Sequence, residues 1–336
     1  MTTDIRFKPY FYFITALSLC VAGAALSFSL GQAAIPPGEI AGFLMLKSQA
    51  DGRYHAILKM RVLRMAAAFI TGAGLAFAGV VYQSSLKNYL ADPFMLGISA
   101  GAALFSALAI TMKFHSSLAI SAFAFTGAIL SVGAVMAISY ARKFSSYNLI
   151  LTGIALNSFF SSFLTVVMYL SKDMQNIFFW LMGSLDVRYA DQIIYTYLFV
   201  VGAACYILKY SHILDLLRIN EKTVFSIGVD QNYYKIKFLV IASLICALIV
   251  SQTGIIGFVG LIVPHAARIM VGDSHRILLP FSFVLGGTML IYCDLISRTA
   301  ADSINFPIGI ITSLVGAPFF IFLLAGQRKA GARANG

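Results

Sequence analysis

Ten apolar runs, each about 15 to 23 residues long, occupy most of this chain between Phe11 and Leu324. A helix crossing a bilayer needs about 20 apolar residues, because each adds about 1.5 Å across a hydrocarbon core about 30 Å thick. The runs are Phe11 to Leu30, Met65 to Tyr82, Met95 to Met112, Leu118 to Tyr140, Leu149 to Leu170, Ile193 to Leu208, Phe238 to Thr253, Ile255 to Ile269, Leu278 to Cys293 and Ile308 to Leu324. The eighth is the shortest, and its polar end at His265 and Arg268 fits a helix that stops within protein. The sequence therefore predicts an all-α polytopic membrane protein of about ten transmembrane helices.

Composition excludes the main alternatives. With 60% hydrophobic and 11% charged residues, the chain is far more apolar than a soluble domain. The excess of 24 Lys+Arg over 13 Asp+Glu is scattered singly between spans, so the +11 charge does not form a nucleic-acid surface. Cys20, Cys205, Cys246 and Cys293 lie inside apolar runs at no metal or disulfide spacing. The first run is too long for a signal-peptide core and lacks a small-residue cleavage site, so it is kept as a span. With the N terminus in the cytoplasm, most Lys and Arg residues fall inside. Lys47, Arg53, Lys59, Arg61 and Arg64 run against that rule in the first external segment.

The whole of 1–336 is expected to be one transmembrane domain. Two segments outside the spans are long enough to meet partners: an external loop at 33–60 and a cytoplasmic segment at 209–237. No Walker motif is present, so nothing here binds ATP through a phosphate loop. Glycines within the runs, such as Gly72, Gly74, Gly79, Gly286 and Gly287, predict close helix packing.

Arg61 and Arg64 are three apart and share a helix face at the outer boundary. Guanidinium groups there suit carboxylates on a docking protein, or they extend to lipid headgroups. Asp294 and Arg298 are four apart and can pair along a helix, either as a neutralised structural pair or as a functional one. Asp92-Pro93 has the form of a helix cap. No carboxylate or Cys lies at ligand spacing from His265, so neither a metal site nor a cofactor is expected. Trp180 and Met182 read as an anchor at the outer interface.

Several segments, in order, resemble the FecCD family, the permease subunits of ABC importers for ferric siderophores, haem and cobalamin. They include Arg61-Val62-Leu63-Arg64, Gly72-Ala73-Gly74-Leu75-Ala76, Gln83, Asn88-Tyr89-Leu90-Ala91-Asp92-Pro93 and Leu96-Gly97-Ile98-Ser99-Ala100-Gly101. Further along come Gly153 to Leu156, Trp180 to Ser184, the run from Gly257 to Arg268, Asp273-Ser274-His275-Arg276, Asp294 to Arg298, Pro307-Ile308-Gly309 and Gly316 to Phe320. The family usually has Pro at the positions of Leu63 and Tyr89 and Glu at that of Asn305.

The resemblance implies a type II ABC importer permease-like bundle in a prokaryotic cell membrane. The chain would pair with a second copy or a paralogue, with two ABC ATPase subunits below and a substrate-binding protein above. The binding protein would dock on Arg61, Arg64 and Arg298. The ATPase would be received by Leu214, Leu217, Ser226, Gly228, His265, Arg268, His275 and Arg276, on two short coupling helices and the neighbouring loop. Gln83, Asn88, Gly97, Ser99 and Gly101 are candidates for the translocation pathway, although small residues there serve packing equally well. The cargo most in keeping with the resemblance is a ferric siderophore, with haem and cobalamin as alternatives. A carrier driven by protons or sodium is the rival from another class, and it requires ionisable residues within spans.

Overall fold

The computed structural model describes residues 9–31, 33, 35–45, 52–141, 144–185, 190–219, 224, 226, 228–300 and 306–334. They form helices α1 (Pro9–Ser29), α2 (Pro37–Leu44), α3 (Gly52–Ser85), α4 (Ile98–Thr111), α5 (Ser117–Tyr140), α6 (Ser146–Leu170) and α7 (Met174–Leu181). These are followed by α8 (Ala190–Lys209), α9 (Ser211–Leu217), α10 (Gln231–Thr253), α11 (Val259–Val271), α12 (His275–Thr299) and α13 (Ile308–Ala334). A short 3₁₀ turn at Pro93–Leu96 precedes α4.

Each of the ten apolar runs coincides with a helix. Six of these (α1, α3, α5, α6, α10 and α12) are long and apolar enough to cross a membrane; α8 passes the same test only together with α9, from which it is bent by 64°. Helices α4, α11 and the apolar part of α13 are shorter. Such short elements are tolerated at membrane depth only where protein covers their ends, and here they lie against their neighbours.

Helix α3 is the axis of the bundle, packed against α10, α11 and α12, and its residues from Gly72 to Ser85 are continuously buried. Small residues make this possible: a side chain at Gly79 would collide with the Gly260 carbonyl of α11, so the two backbones touch. Helix α3 begins at Gly52, well before the apolar run starts at Met65. Part of the expected external loop at 33–60 is therefore helical, as α2 and the first turns of α3; residues 34 and 46–51 lie outside the description. The stretch Arg53 to Arg64 is rich in good helix formers, so propensity extends the helix past the apolar edge.

Helix α12 connects two charged ends of the bundle. Its start carries His275, beside the end of α3 at Ser84; its last turns carry Asp294 and Arg298, beside Arg64 and the end of α1. These are called the His275 end and the Arg64 end.

A junction of broken helices lies between them. Helix α7 stops at Leu181, and Gly183, at φ +73°, turns the chain. Ser184 N–H then donates to Thr253 O at the end of α10 (2.7 Å), while Ile308 N–H and Gly309 N–H donate to Gly183 O (3.1 Å) and Met182 O (3.2 Å). Three interrupted elements thus satisfy one another's main-chain groups, as backbone at membrane depth must.

Candidate functional site

At the Arg64 end a wholly buried carboxylate holds two arginines. Asp294 Oδ1 accepts from Arg64 Nε at 2.8 Å, and Asp294 Oδ2 lies 2.9 Å from Arg298 Nε without an aligned N–H bond. Arg298 also donates through Nη2 to Ser27 Oγ at 2.7 Å, near the end of α1. Arg61 donates to Phe28 O (2.9 Å), Ser29 O (3.0 Å) and Ala33 O (2.6 Å), placing its charge on the carbonyls that end the same helix.

The three arginines therefore do not present one common face. Arg61 and Arg298 are each 7% exposed and fasten α1 to α3 and α12. The Arg64 side chain is 25% exposed. It alone of the three lines a cavity of about 990 Å³, together with Lys113, His115, Asp173, Asn176 and Trp180.

A second cavity, of about 570 Å³, lies across the α7 junction; Asp92, Ser99, Asn157, Ser161, Met182 and Ile255 are among its lining residues. Trp180 and Gly183 face the larger cavity and Leu181 and Met182 the smaller, so the α7 turn is the partition between them. Trp180 lines the larger cavity beside Arg64, and Met182 lines the smaller. Of the pathway candidates, Ser99 lines the smaller cavity. Gly97 and Gly101 are packing positions, where side chains would strike Ser131 and the Gly127 carbonyl. Asp92 caps the 3₁₀ turn, accepting from Phe94 N–H at 2.7 Å.

Gln83 and Asn88 lie at the His275 end. Gln83 is buried, donates to Leu261 O at 3.3 Å and accepts from Arg268. Asn88 folds its own loop, its Oδ1 accepting from Leu90 N–H at 2.9 Å.

His275, one of the residues expected to receive the ATPase, is wholly buried. Its Nδ1 is 2.5 Å from Asp215 Oδ1 and its Nε2 is 2.5 Å from Ser84 Oγ, so it joins α9, α12 and α3. Leu214 and Leu217 are buried as well and seat α9 on the bundle. What α9 and its surroundings expose is His212, Ile219, Ser226, Gly228 and Arg276; His265 is half-buried. The second of the two expected coupling helices falls largely on 220–223, 225 and 227, outside the described residues. Burial pushes the Asp215 carboxyl up, but hydrogen bonds and charge from His275, with the charge of Arg218, outweigh it and hold it below the usual carboxylate range.

Beside this latch is a second cluster. Arg268, its side chain 9% exposed, places Nε 3.2 Å from Asp273 Oδ1; Arg218 Nη1 is 3.3 Å from the same oxygen. Both guanidiniums stand over the Tyr89 ring, at 4.6 Å for Arg268 and 5.6 Å for Arg218. Sequence reasoning passed over Asp215, Ser84 and Arg218 because their partners are remote in the chain. Tyr89 did stand out, as a departure from the resembled family's Pro.

Among the described residues no group of three or more His, Cys, Asp or Glu is placed to hold a metal ion. The arrangement is one of helix ends, cavities and charged fastenings.

Known proteins with the same organisation extend over nearly the whole chain. The model of the FecCD transport family matches residues 19–326. The ABC transporter permease protein YvrB of Bacillus subtilis is 34% identical, covering 97% of each chain. The cobalamin import permease BtuC of Halobacterium salinarum is 37% identical over 79% of this chain and 72% of its own. The hemin transport permease HmuU of Yersinia pestis is 31% identical over 84% and 86%. A solved metal-chelate type ABC transporter, in an inward-facing conformation, superposes with a TM-score of 0.82 at 28% identity, covering 95% of this chain and 99% of that one.

Proposed function

The chain belongs to the FecCD transport family and is an ABC importer permease subunit, and from that premise we propose that its cargo is a ferric siderophore carried across a prokaryotic cell membrane. Two copies, or this chain and a paralogue, enclose the path; ATP is hydrolysed on separate ATPase subunits at the His275 end, and a substrate-binding protein docks at the Arg64 end. The N terminus lies in the cytoplasm, in keeping with the positive-inside tendency.

The observation that carries this reading is the pair of cavities on either side of the α7 partition. In an importer of this kind the partition passes cargo from one side to the other when the ATPases close and push on α9. The cargoes named for the relatives, cobalamin, hemin and a metal chelate, share a metal held in an organic chelator, and an iron chelate belongs to the same chemistry. Selectivity among them rests with the binding protein; the cavity walls offer shape and a few polar groups. Docking runs through Arg64, held in place by Asp294, while Arg61 and Arg298 keep the end of α1 rigid beside it. The receiving surface for the ATPase is the exposed rim of α9 with Ser226, Gly228, His265 and Arg276; Leu214, Leu217, Arg268 and His275 support it from within.

An ion-coupled carrier needs a titrating group inside a span. Asp294 is pinned between two guanidiniums, and family membership sets that alternative aside.

The test is native mass spectrometry of the solubilised complex, followed by uptake of ⁵⁵Fe-labelled ferric siderophore into proteoliposomes. An ABC ATPase present in equal amount and ATP-dependent uptake are expected. Iron uptake that proceeds without ATP, or a complex that imports only cobalamin or haem, would refute the reading. Arg64→Glu should weaken docking of the binding protein by about tenfold, the loss of one charge-assisted contact.

A further inference from the structure

The loop from Leu86 to Asp92 joins the end of α3 to the 3₁₀ turn, and its last residue lines the smaller cavity. It is internally braced: Asn88 N–H donates to Gln83 O at 3.0 Å and Ala91 N–H to Asn88 O at 3.1 Å. Ala91 is buried, and Pro93 packs closely on Gly260 of α11. A braced loop moves as a unit, so whatever holds one edge of it positions Asp92 and the cavity wall.

Two side chains tie this loop to α9. Lys87 Nζ donates to Ile219 O at 2.9 Å. Tyr89 receives a hydrogen bond on its hydroxyl from Arg218, which caps α9, and lies beneath both Arg218 and Arg268. Asp273 is shared by the two guanidiniums, which keeps these like charges side by side over one ring. Tyr89 is 44% exposed, so its ring is not a core residue whose removal leaves a void. Its contacts are instead with the elements that would have to move together: α9, α11 and the loop that ends in the cavity.

On the importer reading above, we infer that Tyr89 is a positioning residue that transmits displacement of α9 to the Asp92 side of the cavity. When α9 is pushed, Arg218 carries the ring with it through the hydroxyl bond and the cation–π contact, and the ring carries the braced loop. Arg268 keeps the ring in register with α11. A Tyr serves because it offers a flat face to two cations and an acceptor at its tip; Pro at this position offers neither.

The test uses the full transporter in proteoliposomes, with its ATPase and binding protein, offered ferric citrate, haemin, cyanocobalamin and a ferric hydroxamate. ATP hydrolysis and cargo uptake are measured together, because a residue that merely supports folding lowers both. Tyr89→Ala is expected to cut uptake per ATP hydrolysed by about tenfold, a coupling effect of ordinary size, with hydrolysis within about twofold of the parent. Tyr89→Phe, which keeps the ring, and Tyr89→Trp, with a larger face, should each restore most of the ratio. Arg218→Lys retains the pairing with Asp273 but not the planar contact, and should reproduce the alanine result without touching the loop. An alanine variant with the parental ratio would overturn the inference alone, as would a phenylalanine variant no better than alanine. Parent complexes with no ATP-driven uptake of any probe would bring down the importer reading and this inference with it.

Discussion

The two ends of α12 hold charge in opposite ways. At the Arg64 end the carboxylate is wholly buried, the arginines come from helices, and the contacts fix α1, α3 and α12 to one another. At the His275 end the carboxylates of Asp215 and Asp273 are 43% and 52% exposed, and they meet His275 at the start of α12, Arg268 near the end of α11 and Arg218 at the cap of the short α9. A buried charge that loses its partner carries a large penalty, so the first arrangement admits only one geometry. Water can replace a partner at the second, so its contacts exchange cheaply. One end is a fastening and the other a joint.

The sharpest challenge to this contrast is Asp294→Asn. It leaves two arginines facing each other in a buried site and should destabilise the chain by about 3–5 kcal/mol, seen as a lower unfolding temperature or loss of the folded monomer in detergent. Wild-type stability in this variant would break the comparison. His275→Ala should follow at about 1–3 kcal/mol, because buried Ser84 loses its partner while Asp215 is still hydrated. Asp273→Asn, the same chemical change as at Asp294, should cost less than about 1 kcal/mol, and the pairs it weakens should already be screened at high salt.

The smallest effect concerns pH. The Asp215 carboxyl is held below its ordinary value in the folded chain, so it contributes stability that is full above the unfolded carboxylate pKa of about 3.9 and is lost as pH falls through the depressed folded value. With the group largely hydrated, the change should stay below about 1 kcal/mol. Thermal melts of the parent and of Asp215→Asn, compared between neutral and acid pH, should converge at the acid end.

Much of the fold was legible because apolar length is a local property: every run became a helix. Helix α7 was not, since an eight-residue helix with Gln175 and Asn176 in its first turn carries no span signal and its end is set by Gly183 meeting α10 and α13. In the site, Asp294 and Arg298 could be paired from their four-residue spacing, and Asp92-Pro93 read as the cap it forms. The partnership of Arg64 with Asp294, 230 residues apart, could not be read, nor could the turning of Arg61 away from Arg64 toward the end of α1. Residue type announced that these charges mattered; only packing decided which faced inward. Leu214 and Leu217 show the same limit, because a heptad-like apolar pair on a short helix does not say whether it faces its own bundle or a partner.

The junction at Gly183 is built almost wholly from main-chain donors and acceptors, Ser184 to Thr253, Ile308 to Gly183 and Gly309 to Met182. Its shape therefore depends on the glycines that let the backbones meet, Gly183, Gly254 and Gly309, and not on the side chains that line the cavities. Substitutions at Ser99, Asn157, Lys113 or His115 can rewrite either cavity wall while leaving the partition standing.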